Sequence, residues 1–528
     1  MSFASVSRFG FFATLLLAVA EPFAQARRIP ELQLRFLNGS TQVKPSYDYV
    51  IIGAGTAGLA VADCLTADGK TTVLVIENGK VVDPPRITQG FSGTAAMGPT
   101  WSCQINSVPQ VNLQNRSTAV IAGNLVGGSS AINAMMTVRG TSEDYDRWSS
   151  FFSNSSTWSW NGLLPYLKKG LTFVPPDSGA GRAGVKRSYA RTGHYDGING
   201  TNYDVVTQSH VTKILLEEGS ATGVVFQQKN GNTTILTTVK ANGEVIISAG
   251  AIHSPQLLRR SKIKPQKLLE SAGLNTTVDL PGVGQNFQDH PMPLMSIVLR
   301  NFTTHPSPLD MFGGNKNVTD WAQELWRANK TAWLGIPLPP DTDPTVAAGY
   351  SAQMKKMTAS IRSSNTAFYN HVLTGAGSSG TLVDLHPLSR GTVNIDTTDP
   401  FNTEPIVDHR ALTNPVDLDI MIEMLRFTKR YFFWKILKEL SPRQVQPPDY
   451  VNEPEDLAGF LAQNLSPSEF HPSGTCAMMP RELGGVVDES LKVHGVKNLR
   501  VVDASIMLSV YAIAEKAVDF IEADSQLE

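Results

Sequence analysis

Cysteine is nearly absent: Cys64, Cys103 and Cys476 are the only three in 528 residues. They lie too far apart in sequence for a zinc site of the CxxC kind, and they allow one disulfide at most, with an odd thiol left over. The ten histidines are scattered, none in an HExxH spacing, so no metal centre is expected. A charge excess is also lacking. Lys and Arg number 45 against 47 Asp and Glu, a net charge of -2, which leaves no footprint for nucleic acid or an anionic membrane. Beyond the N-terminus no apolar run is long enough to span a bilayer, so no stable membrane anchor is expected. Hydrophobic residues at 41% and charged residues at 17% are those of a globular chain. Its length is more than one simple core accommodates, which makes two domains the default.

The N-terminus has the order of a secretory signal. Arg8 leads into FGFFATLLLAVA, and small residues follow at Ala18-Val19-Ala20 and again at Ala24-Gln25-Ala26. A basic start, a short apolar stretch and a small-residue cleavage site describe a signal peptide over 1-20, with a second cleavage site at 26. Ten Asn-x-Ser/Thr triplets agree with that route: Asn38, Asn115, Asn154, Asn199, Asn232, Asn275, Asn301, Asn317, Asn329 and Asn464. The expected product is a secreted glycoprotein, extracellular or in the cell wall.

The first chemical motif is YDYVIIGAGTAGLAVADCLTADGKTTVLVIENG. Tyr49 to Ile52 read as a buried strand, Gly53, Gly55 and Gly58 spell G-x-G-x-x-G, and Leu59, Ala62 and Leu65 line one side of a helix. A second strand, Thr72 to Ile76, ends at Glu77, an acid about 20 residues on. Strand, glycine turn, helix, strand and acid together make the dinucleotide context that a lone GxGxxG lacks. The glycines let the backbone approach a pyrophosphate, the helix N-terminus favours its charge, and Glu77 suits ribose hydroxyls. FAD and NAD both fit this unit.

A second motif, AGNLVGGSSAINAMMTVRGTSEDYDRW, places a Gly/Ser turn at Gly127 to Ser130 before a small-residue segment. It resembles the first signature of the glucose-methanol-choline (GMC) flavoprotein oxidoreductases. Four further stretches resemble that family in the same order: GEVIISAGAIHSPQLL from Gly243, VDLPGVGQNFQDHP from Val278, LHPLSRGTVNI from Leu385, and HPSGTCAMMPRELGGVVDESLKVHGVKNLRVVDAS from His471. The resemblance covers roughly residues 46 to 522 and is nearest to the fungal secreted branch of aryl-alcohol oxidases and secondary-metabolite alcohol dehydrogenases.

That resemblance implies an α/β fold of mixed character. A Rossmann-like FAD-binding domain is expected over 46-300 and 471-522, interrupted by substrate-domain insertions such as 149-200. A substrate domain with an antiparallel sheet and helices is expected mainly over 301-470. It implies FAD as cofactor, a small-molecule alcohol as substrate and dioxygen or a quinone as electron acceptor. By residue, it implies FAD contacts from Gly53, Gly55, Thr56, Ala57 and Gly58, from Glu77 and Asn78, and from Gly128 and Ser129. Asn133, Ala134, Met135, Met136, Val211, Asp503 and Ala504 complete the expected set. His471 matches the catalytic base, since a neutral imidazole can accept an alcohol's proton while hydride leaves the adjacent carbon. His210, His253, His290 and His494 read as architectural, and nothing marks Cys476 as a nucleophile.

The departures bear on function. In VVDASIMLSVYAIAEKA, residues 501 to 517, a strand runs almost directly into a helix, where family members have a proline and a longer loop carrying a second histidine or asparagine. Near LTFVPPDSGAGRAGVKRSYART another stretch of the family is missing, and Lys262 and Lys264 stand where glycines are usual. The chain reads as a shortened member, either a natural variant with a remodelled pocket or one lacking exon sequence. An FAD-dependent alcohol oxidoreductase is the leading expectation. A hydroxynitrile-lyase-like non-redox flavoprotein and an impaired member are the alternatives.

Overall fold

Runs without a polar face make strands that are buried on both sides. The computed structural model places two such runs side by side. It describes residues 36–526 except 38, 40–41, 90–96, 137–138, 154–155, 171–185, 199, 231, 267–274, 300–337, 362, 364, 368, 374–379, 434–440 and 508. The expected signal segment 1-26 lies outside the described residues.

The first half of the chain supplies β1 Phe36–Leu37, β2 Ser46–Ile52, helix α1 Thr56–Thr66, and β3 Val73–Ile76. β2 and β3 pair in parallel from Tyr49 opposite Val73 to Ile52 opposite Ile76, and α1 makes the crossover. A hairpin of β4 Ser102–Asn106 and β5 Ala119–Gly123 follows, then helices α2 Ser142–Ser149 and α3 Trp160–Lys169. β6 Tyr203–Val206 adds to β3 in parallel, and β7 Ser209–Glu217, β8 Ser220–Asn230 and β9 Thr233–Ile247 form an antiparallel meander. β9 is long enough to serve twice: its first half pairs with β8, and its last residues lie parallel to β2. Helix α4 Gly250–Arg260 leaves its end.

Besides shorter strands and turns, the chain then forms β10 Leu294–Leu299, α5 Pro344–Ile361, β11 Tyr369–Leu373, β12 Gly380–Asp384, α6 Pro415–Phe432, β13 Pro442–Gln446, α7 Pro454–Asn464, β14 Leu499–Val501 and α8 Val510–Ser525. β14 returns to the large sheet, parallel to β9, giving eight strands in the order β1-β6-β3-β2-β9-β8-β7 with β14 alongside β9. A separate four-stranded antiparallel sheet runs β11-β12-β10-β13. It has its own core, in which Met295 and Ile297 of β10 meet Met354, Met421, Leu425 and Leu461 of the helices. Each such buried side chain contributes about 1.5–3 kcal/mol. α6 starts where the sequence says it should: Asn414 Oδ1 accepts the Val416 N–H at 3.1 Å and Pro415 follows it. The fold is thus mixed α/β, as the resemblance implied. Among the described residues no helix is long and apolar enough to cross a membrane.

Two local features follow the departures in sequence. Lys262 adopts φ 67°, the left-handed region that a glycine enters freely, and Lys264 is buried. At the other end, Ser509 sits at φ 79° as the residue before α8 and makes no side-chain cap, its hydroxyl instead lying 3.0 Å from Tyr145 Oη of α2.

Candidate active site

Gly53 turns the chain at the end of β2 with φ 108°, and a Cβ there would lie 2.4 Å from the Ser248 carbonyl oxygen at the end of β9. No other residue fits. Gly55 is the N-cap of α1, so the first N–H groups of that helix, from Thr56 onward, have no acceptor within the helix. The second glycine turn closes against the first. The Gly127 N–H donates to Ala54 O at 2.8 Å, and a Cβ on Gly128 (φ 53°) would come within 2.7 Å of Gly55 Cα. Ser129 Oγ accepts the Gly123 N–H at 3.1 Å, which ties this turn to β5.

Glu77, at the end of β3, is buried beside the same loop. Its two carboxylate oxygens accept N–H groups from Ala54 and Gly79, each at 2.7 Å. Burial raises its pKa to about 7, against the opposing effect of those two hydrogen bonds and of the His253 charge. Asn78 is exposed and donates to Asn124 Oδ1. Val211 lies on β7, whose first residue Ser209 donates its N–H to Glu77 O at 2.9 Å. Asn133 is held by Arg187 Nη1 at 2.6 Å, and Ala134, Met135 and Met136 follow it at the surface or half-buried, Met135 at φ 60°.

Asp503 follows β14 and is buried. Its carboxylate accepts the Gly250 N–H at 2.8 Å and Ser254 Oγ at 2.6 Å, so it anchors the start of α4, and it accepts the Ser505 N–H at 2.7 Å. Burial raises its pKa, partly offset by these bonds. Backbone bonds from Gly474 N to Ala504 O and from Cys476 N to Ser505 O (2.8 Å) join this strand end to the segment that carries His471.

His471 is the most exposed member of a three-residue cluster. Its side chain is 42% exposed, its Nδ1 lies 3.4 Å from Glu469 Oε2 and 3.1 Å from His290 Nδ1, and the two rings meet edge to face. Asp289 Oδ1 accepts the His471 N–H at 3.0 Å, fixing the backbone. Burial works against charge on His471, but the Glu469 hydrogen bond and charge, with Asp289, outweigh it and hold the imidazole above its usual pKa. Glu469, despite the opposing effect of burial, is held ionised down to about pH 2 by bonds from both histidines. Both Nδ1 atoms are engaged within the cluster, and Nε2 of His471 has no hydrogen-bond partner among the described residues. His290, read from sequence as architectural, is therefore part of the immediate surroundings of His471, as is Glu469, which no motif marks. Sequence spacing gave no sign of the His290 role, because 181 residues separate the two rings, and the Glu469 contact depends on the turn at Phe470, φ 64°, between it and His471.

The other histidines keep the plain reading in part. His494 Nε2 meets Met479 O, and His210 Nε2 lies 3.1 Å from Arg260 Nη1, with burial and that cation lowering its pKa to about 4. The three cysteines are all free. Cys476 is buried, which pushes its thiol well above the ordinary range, while Cys64 donates to Glu515 of α8 at 3.4 Å.

A glycine cradle at a helix N-terminus, at the carboxyl ends of parallel strands, fits a pyrophosphate, and the space a Cβ would fill at Gly53 and Gly128 is the space this approach needs. The comparisons agree. The GMC oxidoreductase N-terminal model matches residues 47–175 and 175–292, and the C-terminal model matches 387–515. A GMC oxidoreductase family protein of Malassezia sympodialis, Mala s 12, is 31% identical over 611 aligned residues, covering 96% of this chain and 98% of its own. An FAD-dependent oxidoreductase from Chaetomium thermophilum shares its structure with TM-score 0.79 at 30% identity, covering 91% of this chain and all of that one. A fungal aryl-alcohol oxidase does so with TM-score 0.77 at 28% identity, over 92% of this chain and 100% of its own. Fold and site together define an FAD-dependent oxidoreductase. The chain belongs to the GMC oxidoreductase family. An alignment longer than the 528-residue chain, and a family match that breaks at residue 175, agree with internal stretches present in relatives and missing here.

Proposed function

We propose that the protein oxidises a primary or secondary alcohol to a carbonyl, with His471 as the base. The observation that carries this is the free Nε2 of a half-exposed imidazole whose other nitrogen is fixed by Glu469 and His290. With Nδ1 oriented toward the Glu469 carboxylate, Nε2 presents its lone pair to a substrate hydroxyl and takes its proton. Bound FAD supplies the hydride acceptor. Gly53, Gly55, Thr56, Ala57, Gly58, Gly128 and Ser129 would hold its pyrophosphate region, Glu77, Asn78 and Val211 its adenosine side, and Asn133 to Met136 with Asp503 and Ala504 its flavin side. Dioxygen or a quinone is the proposed electron acceptor, and a step in fungal secondary metabolism the proposed setting.

The test is anaerobic addition of a benzylic or aliphatic alcohol panel to the FAD-loaded protein. Bleaching of the flavin absorbance is expected. His471→Ala should keep FAD bound and slow reduction by about a hundred- to ten-thousand-fold; unchanged reduction would remove the base assignment. A lyase-like reading, motivated by the shortened junction after Met507, predicts bound flavin that no alcohol reduces.

We also propose secretion with N-glycosylation. Asn115, Asn232, Asn275 and Asn464 are exposed, whereas Asn38, Asn154, Asn199, Asn301, Asn317 and Asn329 lie outside the described residues. Expression in a secretory host should give medium-borne protein whose gel mobility increases after endoglycosidase treatment; retention of an unglycosylated product in the cell sinks the proposal.

A further inference from the structure

Three side chains that sequence spacing keeps far apart meet at the surface. Cys103 comes from β4, His253 from the first turn of α4, and Glu404 from the segment just before Ile406. His253 Nε2 lies 3.3 Å from Glu404 Oε2, and Cys103 Sγ lies 3.9 Å from Glu404 Oε1. One donor atom from each of the three falls within 4.8 Å of the others. We propose that Cys103, His253 and Glu404 form a binding site for a borderline-soft divalent cation of the Zn2+ class, separate from His471.

The geometry is close to what such an ion needs. Tetrahedral bonds of about 2.3 Å to sulfur and about 2.0–2.1 Å to nitrogen and oxygen put neighbouring ligand atoms roughly 3.3–3.6 Å apart. The Nε2–Oε2 pair is already there, while the sulfur lies 3.9 Å from the other carboxylate oxygen, Oε1, and the three single donor atoms fall within 4.8 Å, so closing them on one ion takes a turn of the carboxylate and a shift of about 1 Å. The Glu404 side chain, 63% exposed, is free to supply that adjustment and leaves the fourth position open to water. Thiolate, imidazole and carboxylate together select zinc over magnesium or calcium, whose preference is for oxygen alone.

The surroundings already stabilise a cation. A ring proton on His253 Nε2 would sit between the imidazole and the Glu404 carboxylate oxygen 3.3 Å away. An incoming ion takes the place of that ring proton and of the Cys103 thiol proton, and both protons leave to solvent. Arg260 is the nearby cation, with the neutral His210 ring 3.1 Å from it, so the anionic Cys103 and Glu404 ligands balance the ion against it. Position gives the site a structural consequence. Cys103 is paired with Ala122 of β5, the strand that runs into the Gly127–Gly128 turn, while α4 begins beside the Gly53 loop. The ion would tie the two glycine turns together from outside.

The experiment titrates the full-length, FAD-loaded protein with Co2+ and then displaces it with Zn2+. One equivalent should bind, with thiolate-to-cobalt charge transfer in the difference spectrum and d–d bands of tetrahedral strength. Cys103→Ser should lose the charge transfer, and Glu404→Gln, on the exposed side where folding is not at stake, should weaken binding by about tenfold or more. His471→Ala should bind as the parent does. Absence of saturable binding, equal affinity in Glu404→Gln, or a signal that disappears with His471→Ala rather than Cys103→Ser overturns the proposal; the last outcome would move the ion to His290, Glu469 and His471.

Discussion

The carboxylate of Glu469 sets the working range of His471. It stabilises the imidazolium, so the neutral base appears only as pH rises through a raised pKa. Glu469→Gln removes the charge and lowers that pKa, and the acid limb of the kcat/KM profile is expected to move to lower pH; an unmoved limb refutes the coupling. Stability follows the opposite sign for the two groups. The raised His471 pKa contributes stability below its unfolded value that is lost at higher pH, and the depressed Glu469 pKa contributes stability above about 4.3 that is lost as pH falls toward about 2. At Gly53 the constraint is steric. Gly53→Ala puts a methyl 2.4 Å from Ser248 O and a side chain at φ 108°, a strain of at least about 1–2 kcal/mol. The expected result is protein purified with little flavin, read from the ratio of flavin to protein absorbance. Gly53 and His471 were legible in sequence because their roles depend on a local motif. His290 was not, because its contact is made across the fold, and Glu469, only two residues from His471, was not, because its aim depends on the left-handed backbone at Phe470.

Among the elements, β14 and α8 bring the end of the chain back to the large sheet. Arg500 of β14 is the fastener: its guanidinium donates to Glu244 of β9 at 2.6 and 2.9 Å, to Ser490 O, and to Asp524 of α8. The pair is buried, so breaking it leaves Glu244 without compensation. Arg500→Met is expected to destabilise the protein by about 3–5 kcal/mol, seen as a lower urea midpoint with an unchanged slope. The junction these elements flank, Val502 to Ser509, shows what a shortened connection does. Helix α8 starts on a left-handed serine without a side-chain cap. Lys262 in the same backbone region shows a similar compromise at the end of α4. The sequence located both departures, but backbone dihedrals come only from how the neighbouring elements close on them.

For the molecule as a whole, the proposed cofactor site lies where the ends of β2, β3, β9 and β14 meet, strands drawn from both ends of the chain. Occupying it should fasten the sheet. Removal of FAD is expected to lower the unfolding temperature, and FAD at about a hundredfold excess over its Kd should restore about 2.7 kcal/mol; equal melting of the two forms would argue that the site is not part of the cooperative unit.

The sequence by itself determined the dinucleotide unit, the family and FAD, and it singled out His471 for the proposed base, because each is written in residues close together whose spacing maps directly onto a turn, a strand or a helix. Only the tertiary structure decided that Asp503 anchors α4, that His290 and Glu469 flank His471, and that Cys103 meets His253 and Glu404. Apart from Glu469, which the left-handed turn at Phe470 brings back onto the neighbouring His471 ring, those groups are joined by long crossovers, and their proximity is set by how the sheets and helices pack.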